Sequence, residues 1–117
     1  MTTNSKRIKR GNTGPLWRVG VQSYDSEGLP ISGQYEDLSS NYTCNISVPS
    51  ATPPIARTVT ALSADNTRFL VQLTPSETAT LLGTNHVVAI EVANGTTTPP
   101  FKVETHVQLL VDDDLIN

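Results

Sequence analysis

The chain has 117 residues, 37% hydrophobic and 16% charged, with a formal net charge of −3. That is one domain's worth of sequence, long enough to bury a core and too weakly charged to be forced into disorder. One cysteine and two histidines exclude an intrachain disulfide framework and a zinc site built on several thiolates, and leave few ways to assemble a metal or nucleophilic centre.

Lys6, Arg7, Lys9 and Arg10 are four of the eight basic residues, so a short basic arm precedes an acidic body. Residues 1–15 read as that arm, because Gly11, Gly14 and Pro15 break any regular element. No apolar run after the basic residues resembles a secretory leader, and none approaches the roughly 20 residues of a membrane-spanning helix. A first strand starts at Trp17, where Trp17, Val19 and Val21 alternate with polar neighbours. Asp25 to Gly28 form a turn, Pro30 closes it, and 31–35 make a short edge strand. In 41–48, Tyr42, Cys44, Ile46 and Val48 alternate with Asn41, Thr43, Asn45 and Ser47, and Pro49 ends the strand. Residues 55–62 are rich in β-branched residues. In 67–73, Phe69, Val71 and Leu73 share a face.

At Thr74 the period changes. Thr74 as N-cap, Pro75 at the first helical position and Glu77 at the third begin a helix, and Gly83 stops it, which predicts one or two turns over 75–82. Residues 86–93 return to strand with Val88, Ile90 and Val92 inward; Val87 and Ala89 make the other face partly apolar, which places this strand centrally in its sheet. After a turn from Asn94 to Pro100, the last and longest strand turns Phe101, Val103, Thr105, Val107, Leu109 and Val111 one way, and Lys102, Glu104, His106 and Gln108 the other. Asp112 to Asp114 end it. Six or seven short strands with evenly spaced turns predict an all-β fold: a single antiparallel immunoglobulin-like β-sandwich over 16–114, with one helical turn, an extended N-terminal arm over 1–15 and a tail at 115–117. A barrel is the alternative.

No catalytic, cofactor-binding or metal-binding residues are assigned. Cys44 falls on an inward face and reads as a small buried apolar residue. His86, at a strand entry, and His106, on a polar face, read as surface histidines outside any ligand motif. Asp112 to Asp114 lack a glycine-turn calcium loop, and Glu36 and Asp37 sit in turns with no cleft between opposed carboxylates. Three Asn-x-Ser/Thr triplets begin at Asn41, Asn45 and Asn94, the first two on one strand face; they are read as chance in a threonine-rich chain. Lys6, Arg7, Lys9 and Arg10 remain as a partner-docking arm. Docking on an acidic protein surface is favoured over nucleic acid, because no aromatic or motif-bearing fold accompanies the charges.

Some stretches carry a resemblance. Arg10-Gly11-Asn12-Thr13 opens a strand, and Asp25-Ser26-Glu27-Gly28-Leu29-Pro30 follows. Arg68 to Ala79 contains Leu73-Thr74-Pro75-Ser76-Glu77-Thr78, and Val87 to Val92 comes next. This cadence resembles the accessory structural proteins of tailed bacteriophages, in particular the immunoglobulin-like N-terminal domain of baseplate upper proteins that anchor receptor-binding fibres. Asn12 stands where that family has Asp, and Asp65-Asn66-Thr67 replaces an Asp-x-x-Gly turn. The resemblance covers most of 10–114 and implies a non-enzymatic virion protein. Its partners would be tail, baseplate or capsid subunits and further copies of itself, with neither cofactor nor membrane involved. The cadence favours a tail or baseplate fibre adaptor. The lack of a fibre segment before Asn117 favours the alternative, a capsid decoration protein. The rival class is a carbohydrate-binding sandwich, which needs exposed aromatic platforms; Trp17 and Tyr42 point inward, leaving Tyr24 and Tyr35.

Overall fold

The computed structural model describes residues 5–96 and 101–112. Nine strands and one short helix follow in order: β1 (Ser5–Lys9), β2 (Leu16–Val19), β3 (Gln22–Tyr24), β4 (Pro30–Tyr35), β5 (Thr43–Val48), β6 (Ile55–Val59), β7 (Phe69–Gln72), α1 (Pro75–Thr78), β8 (Asn85–Asn94) and β9 (Phe101–Asp112). The fold is all-β, as the alternation predicts. The main sheet has five strands in the order β1-β9-β8-β5-β6, and β2-β7 and β3-β4 form two antiparallel pairs beside it. β8 is the central strand of the main sheet.

The inward faces follow from the period of two. Cys44 lies opposite Val92 and Ile46 opposite Ile90, while Val88 lies opposite Val107 and His86 opposite Leu109. All eight are buried, and all but His86 join Trp17 of β2 and Phe69 and Val71 of β7 in one cluster that includes Leu38, Leu73 and Leu81. Two breaks shorten the expected strands. Asn41 has φ 69°, so β5 starts at Thr43 instead of residue 41. At Gly20 a Cβ would come within 2.8 Å of the Thr67 carbonyl, and this close approach separates β2 from β3.

The main sheet is mixed, which corrects the expectation of purely antiparallel pairing. β1 runs parallel to β9, from Ser5 opposite Gln108 to Lys9 opposite Asp112. Residues 5–9 of the expected arm are therefore a strand of the sheet. Ile8 is half-buried against the core and Arg7 and Lys9 are exposed, while the backbone of β1 lines β9 from Gln108 to Asp112. Met1 to Asn4, the turn residues 97–100, Asp113, Asp114 and the 115–117 tail lie outside the described residues.

The helix start is as expected and the helix shorter, four residues in place of eight. Thr74 Oγ1 accepts from the Glu77 N–H (3.1 Å), and a Glu77 oxygen accepts from the Thr74 N–H (2.9 Å), closing a capping box. The same carboxylate receives Arg57 Nε at 2.6 Å and Nη2 at 2.9 Å, while Nη2 also donates to the Gln72 carbonyl. Arg57 thus ties β6 to the end of β7 and to α1.

Two expectations follow. Ile90, 2% exposed at the centre of β8, leaves a cavity when shortened, and Ile90→Ala is expected to cost about 2–5 kcal/mol in denaturant unfolding. Hydrogen bonds from Arg57 hold the Glu77 carboxyl below its ordinary value. A depressed folded-state pKa adds stability at neutral pH that is lost as pH falls through the folded value. Glu77→Gln, which preserves the cap, is expected to lower stability at pH 7 by up to about 1 kcal/mol, since the pair is partly open to solvent. The gap between the two proteins should close in pH-dependent thermal melts as pH falls below the ordinary glutamate range and through the lowered folded-state value.

Candidate interaction surface

Arg7 and Arg10 reach different parts of the fold. The Arg7 guanidinium lies 3.4 Å from Asp112, its side chain 70% exposed. Lys6 and Lys9 sit in β1 opposite Leu109 and Asp112. Arg10 turns back into the fold, with Nε donating to the Leu81 carbonyl at 2.7 Å and Nη2 to the Gly83 carbonyl at 3.1 Å. Beside it, Thr78 Oγ1 donates to the Asn12 carbonyl (2.6 Å) and accepts from the Gly11 N–H (3.1 Å). The segment after β1 is therefore fastened to the end of α1, a structural task for Arg10 that its charge alone does not reveal.

Cys44 is fully buried, and burial pushes its thiol up to about 11. His86 corrects a surface expectation. β8 begins at Asn85, so His86 falls on the inward face, 3% exposed, with Nδ1 2.6 Å from Ser50 Oγ. His86 Nε2 and Trp17 Nε1 are buried without a hydrogen-bond partner among the described residues. His106 is exposed, its Nε2 2.7 Å from a Glu104 oxygen.

The turn carboxylates organise backbone. Glu36 accepts from Ser23 Oγ, and Asp37 accepts from the Ser39 N–H, contacts with Ser39 holding the Asp37 carboxyl below its usual range. Of the Asn-x-Ser/Thr triplets, Asn41 lies in a turn and not on the Asn45 face. Asn45 accepts from Thr58 Oγ1, and buried Asn94 accepts from the Thr96 N–H and hydroxyl.

The outward face of the main sheet forms a shallow cleft of about 650 Å³. Cross-strand register arranges it in rows. One row runs Thr58, Asn45, Glu91, Glu104; the next runs Ala56, Ser47, Ala89, His106. The small residues form the floor, and the carboxylates and His106 rise on the β8–β9 side. Ser47 and His106 are two strands apart, about 10 Å, which is beyond hydrogen-bond reach for a nucleophile and its base. Among the described residues no group of three or more His, Cys, Asp or Glu side chains is placed to hold a metal ion.

The most unusual feature is at β9. Glu91 and Glu104 lie directly opposite each other, an arrangement that costs energy for like charges. Lys102 Nζ approaches a Glu91 oxygen at 3.3 Å. On the inward side of the same strand Val103 is 49% exposed and Thr105 is exposed, although both belong to the face expected to be buried. The sequence marks Lys102, Glu104 and His106 only as a polar face; which residues they meet depends on the pairing with β8.

No known protein family matches the chain, and no curated protein is significantly similar to it. The burial of Cys44 makes a direct expectation: the native protein is not labelled by a thiol reagent near pH 8, and one thiol per chain reacts on unfolding in denaturant.

Proposed function

We propose that this protein is a non-enzymatic structural component of a tailed-phage particle, an immunoglobulin-like β-sandwich that docks on neighbouring virion subunits as a tail or baseplate fibre adaptor. The observation that carries the reading is the character of its surface. Among the described residues, nothing packs over the outward face of the main sheet, and a strand edge and part of an inward face are left uncovered at β9. Such surfaces suit protein contacts. The resemblance in Leu73 to Thr78 gains physical content from the capping box and the buried Thr78, which make that stretch a structural corner. The basic residues on β1 and the acidic body suit docking against a neighbour of mixed charge.

The capsid decoration role is the second reading, and it rests on the same surfaces. A carbohydrate-binding role has less support. Trp17 is buried, and the Arg68 guanidinium lies over the Tyr35 ring at 3.5 Å, so of the expected platforms Tyr24, 60% exposed, is the one left open.

The test is composition and position in purified particles of the phage that encodes the protein. Mass spectrometry is expected to find it in fixed copy number, and immunogold labelling is expected at the tail tip. Label on the head selects the decoration role. Absence from particles rejects both.

A further inference from the structure

Among the described residues, backbone, charge and apolar surface point to the same partner at the edge of β9. Among those residues, β1 covers that edge from Gln108 to Asp112. The Asp112 carbonyl accepts from the Arg10 N–H on the β1 side, whereas the Val111 N–H donates to Thr84 on the β8 side. β9 keeps one unbroken register with β8 from Phe101 to Leu110, so this alternation extends along the strand. The backbone groups of Lys102, Glu104 and His106 therefore point away from β8, and among the described residues no strand pairs with them.

We propose that a second copy of this chain pairs antiparallel with this edge, Val103 against Val103, joining two five-stranded sheets across a twofold axis. Charge selects the register. Centred on Val103, the pairing sets Lys102 of each copy opposite Glu104 of the other. Both residues point their backbone groups outward, so the two also exchange ladder hydrogen bonds. Centring on Glu104 instead sets glutamate against glutamate. Centring on Thr105 brings Lys102 to Gln108, whose edge Ser5 already occupies.

The chosen register resolves the oddity of the monomer. The row Asn45, Glu91, Glu104 gains the other copy's Lys102 as its next member, beside a pair of carboxylates that otherwise face each other. On the inward side the two half-exposed valines meet. Next to each valine lies a groove of about 210 Å³, lined by Val19, Val21, Tyr24 and Val92, which the approaching strand would cover. Because Val103 and Thr105 are exposed, the elements on that side stop short of β9 and leave room for the second copy. Alternating charge on an edge strand blocks indiscriminate pairing, and here it leaves one register open.

This inference does not depend on the virion reading, because it is tested on the isolated protein. Sedimentation equilibrium of the full chain is expected to show reversible dimerisation. Lys102→Glu sets two like-charge contacts across the interface and is expected to weaken the dimer by about tenfold or more. The double swap Lys102→Glu with Glu104→Lys is expected to restore it. Glu104→Pro removes only an outward N–H, so the bonds to β8 survive, and it is expected to yield a folded monomer, checked by thermal melting. Hydrogen exchange at the Lys102 and Glu104 amides is expected to slow as protein concentration rises. Three results would each overturn the proposal: a monomer at up to about 1 mM, the limit of a weak contact; a dimer indifferent to both Lys102→Glu and Glu104→Pro; or protection of those amides that is independent of concentration, which means the edge is covered within one chain.

Discussion

Ten consecutive residue pairs join β8 to β9, from Asn85 opposite Leu110 to Asn94 opposite Phe101, without a bulge. In a sheet with one buried face, a slip of one residue would send every side chain to the wrong side. This ladder therefore decides together which residues make the core and which make the surface. It turns Val88, Ile90, Val107 and Leu109 inward and Glu91, Glu104 and His106 outward. β5 and β1 inherit their facing from it, β5 through Ile46 opposite Ile90 and β1 through Ile8 opposite Val111.

The second constraint is the corner after β7. Four residues of helix are too few to be stable by their own hydrogen bonds. The corner holds because Glu77 and Thr78 have distant partners. Glu77 closes its own cap and binds Arg57 of β6, and Thr78, fully buried, joins Asn12 and Gly11 from the segment after β1. Arg10 adds bonds to the carbonyls of Leu81 and Gly83. The edge strands β1 and β6, at opposite sides of the main sheet, are thus both anchored to one short element. This is a physical reason for a threonine to end the Leu73 to Thr78 stretch: its hydroxyl both donates and accepts, and a buried pair of backbone groups needs both.

Much of the fold was legible because alternation carries it. Phe69, Val71, Val88, Ile90 and Leu109 are inward as their spacing implies, and the helix start at Thr74 is visible in its capping residues. Three things were not legible. The parallel seat of β1 lies on the edge of β9 away from β8, a matter of strand order that periodicity does not encode. Four charges in five residues masked the one alternating apolar residue there, Ile8. His86 looked like a surface residue because it is polar and stands at a strand entry, although it shares the alternation of Val88, Ile90 and Val92 that turns it inward. Of the candidate surface, the charged face of β9 could be read from the chain, but the opposition of Glu91 and Glu104 requires the register.

Charge distribution along the chain acquires a different meaning once the strands are paired. Read linearly, the molecule is a basic arm on an acidic body. In the fold, Arg7 sits against Asp112 and Arg57 against Glu77, while Arg10 answers backbone carbonyls at a turn. These cations act on groups of their own chain. Exposed pairs such as Arg7 with Asp112 add little stability singly, so their effect is mainly to fix where β1 lies. The balance differs at the other half of β9, where two carboxylates face each other and Lys102 reaches Glu91 from the next row. Each of those carboxylates has a neighbour of its own, Lys102 beside Glu91 and His106 beside Glu104, so the strain of the opposed pair is shared with groups on the same strand. The same strand thus closes the fold at its C-terminal half and, among the described residues, carries no strand on the outer edge of its N-terminal half.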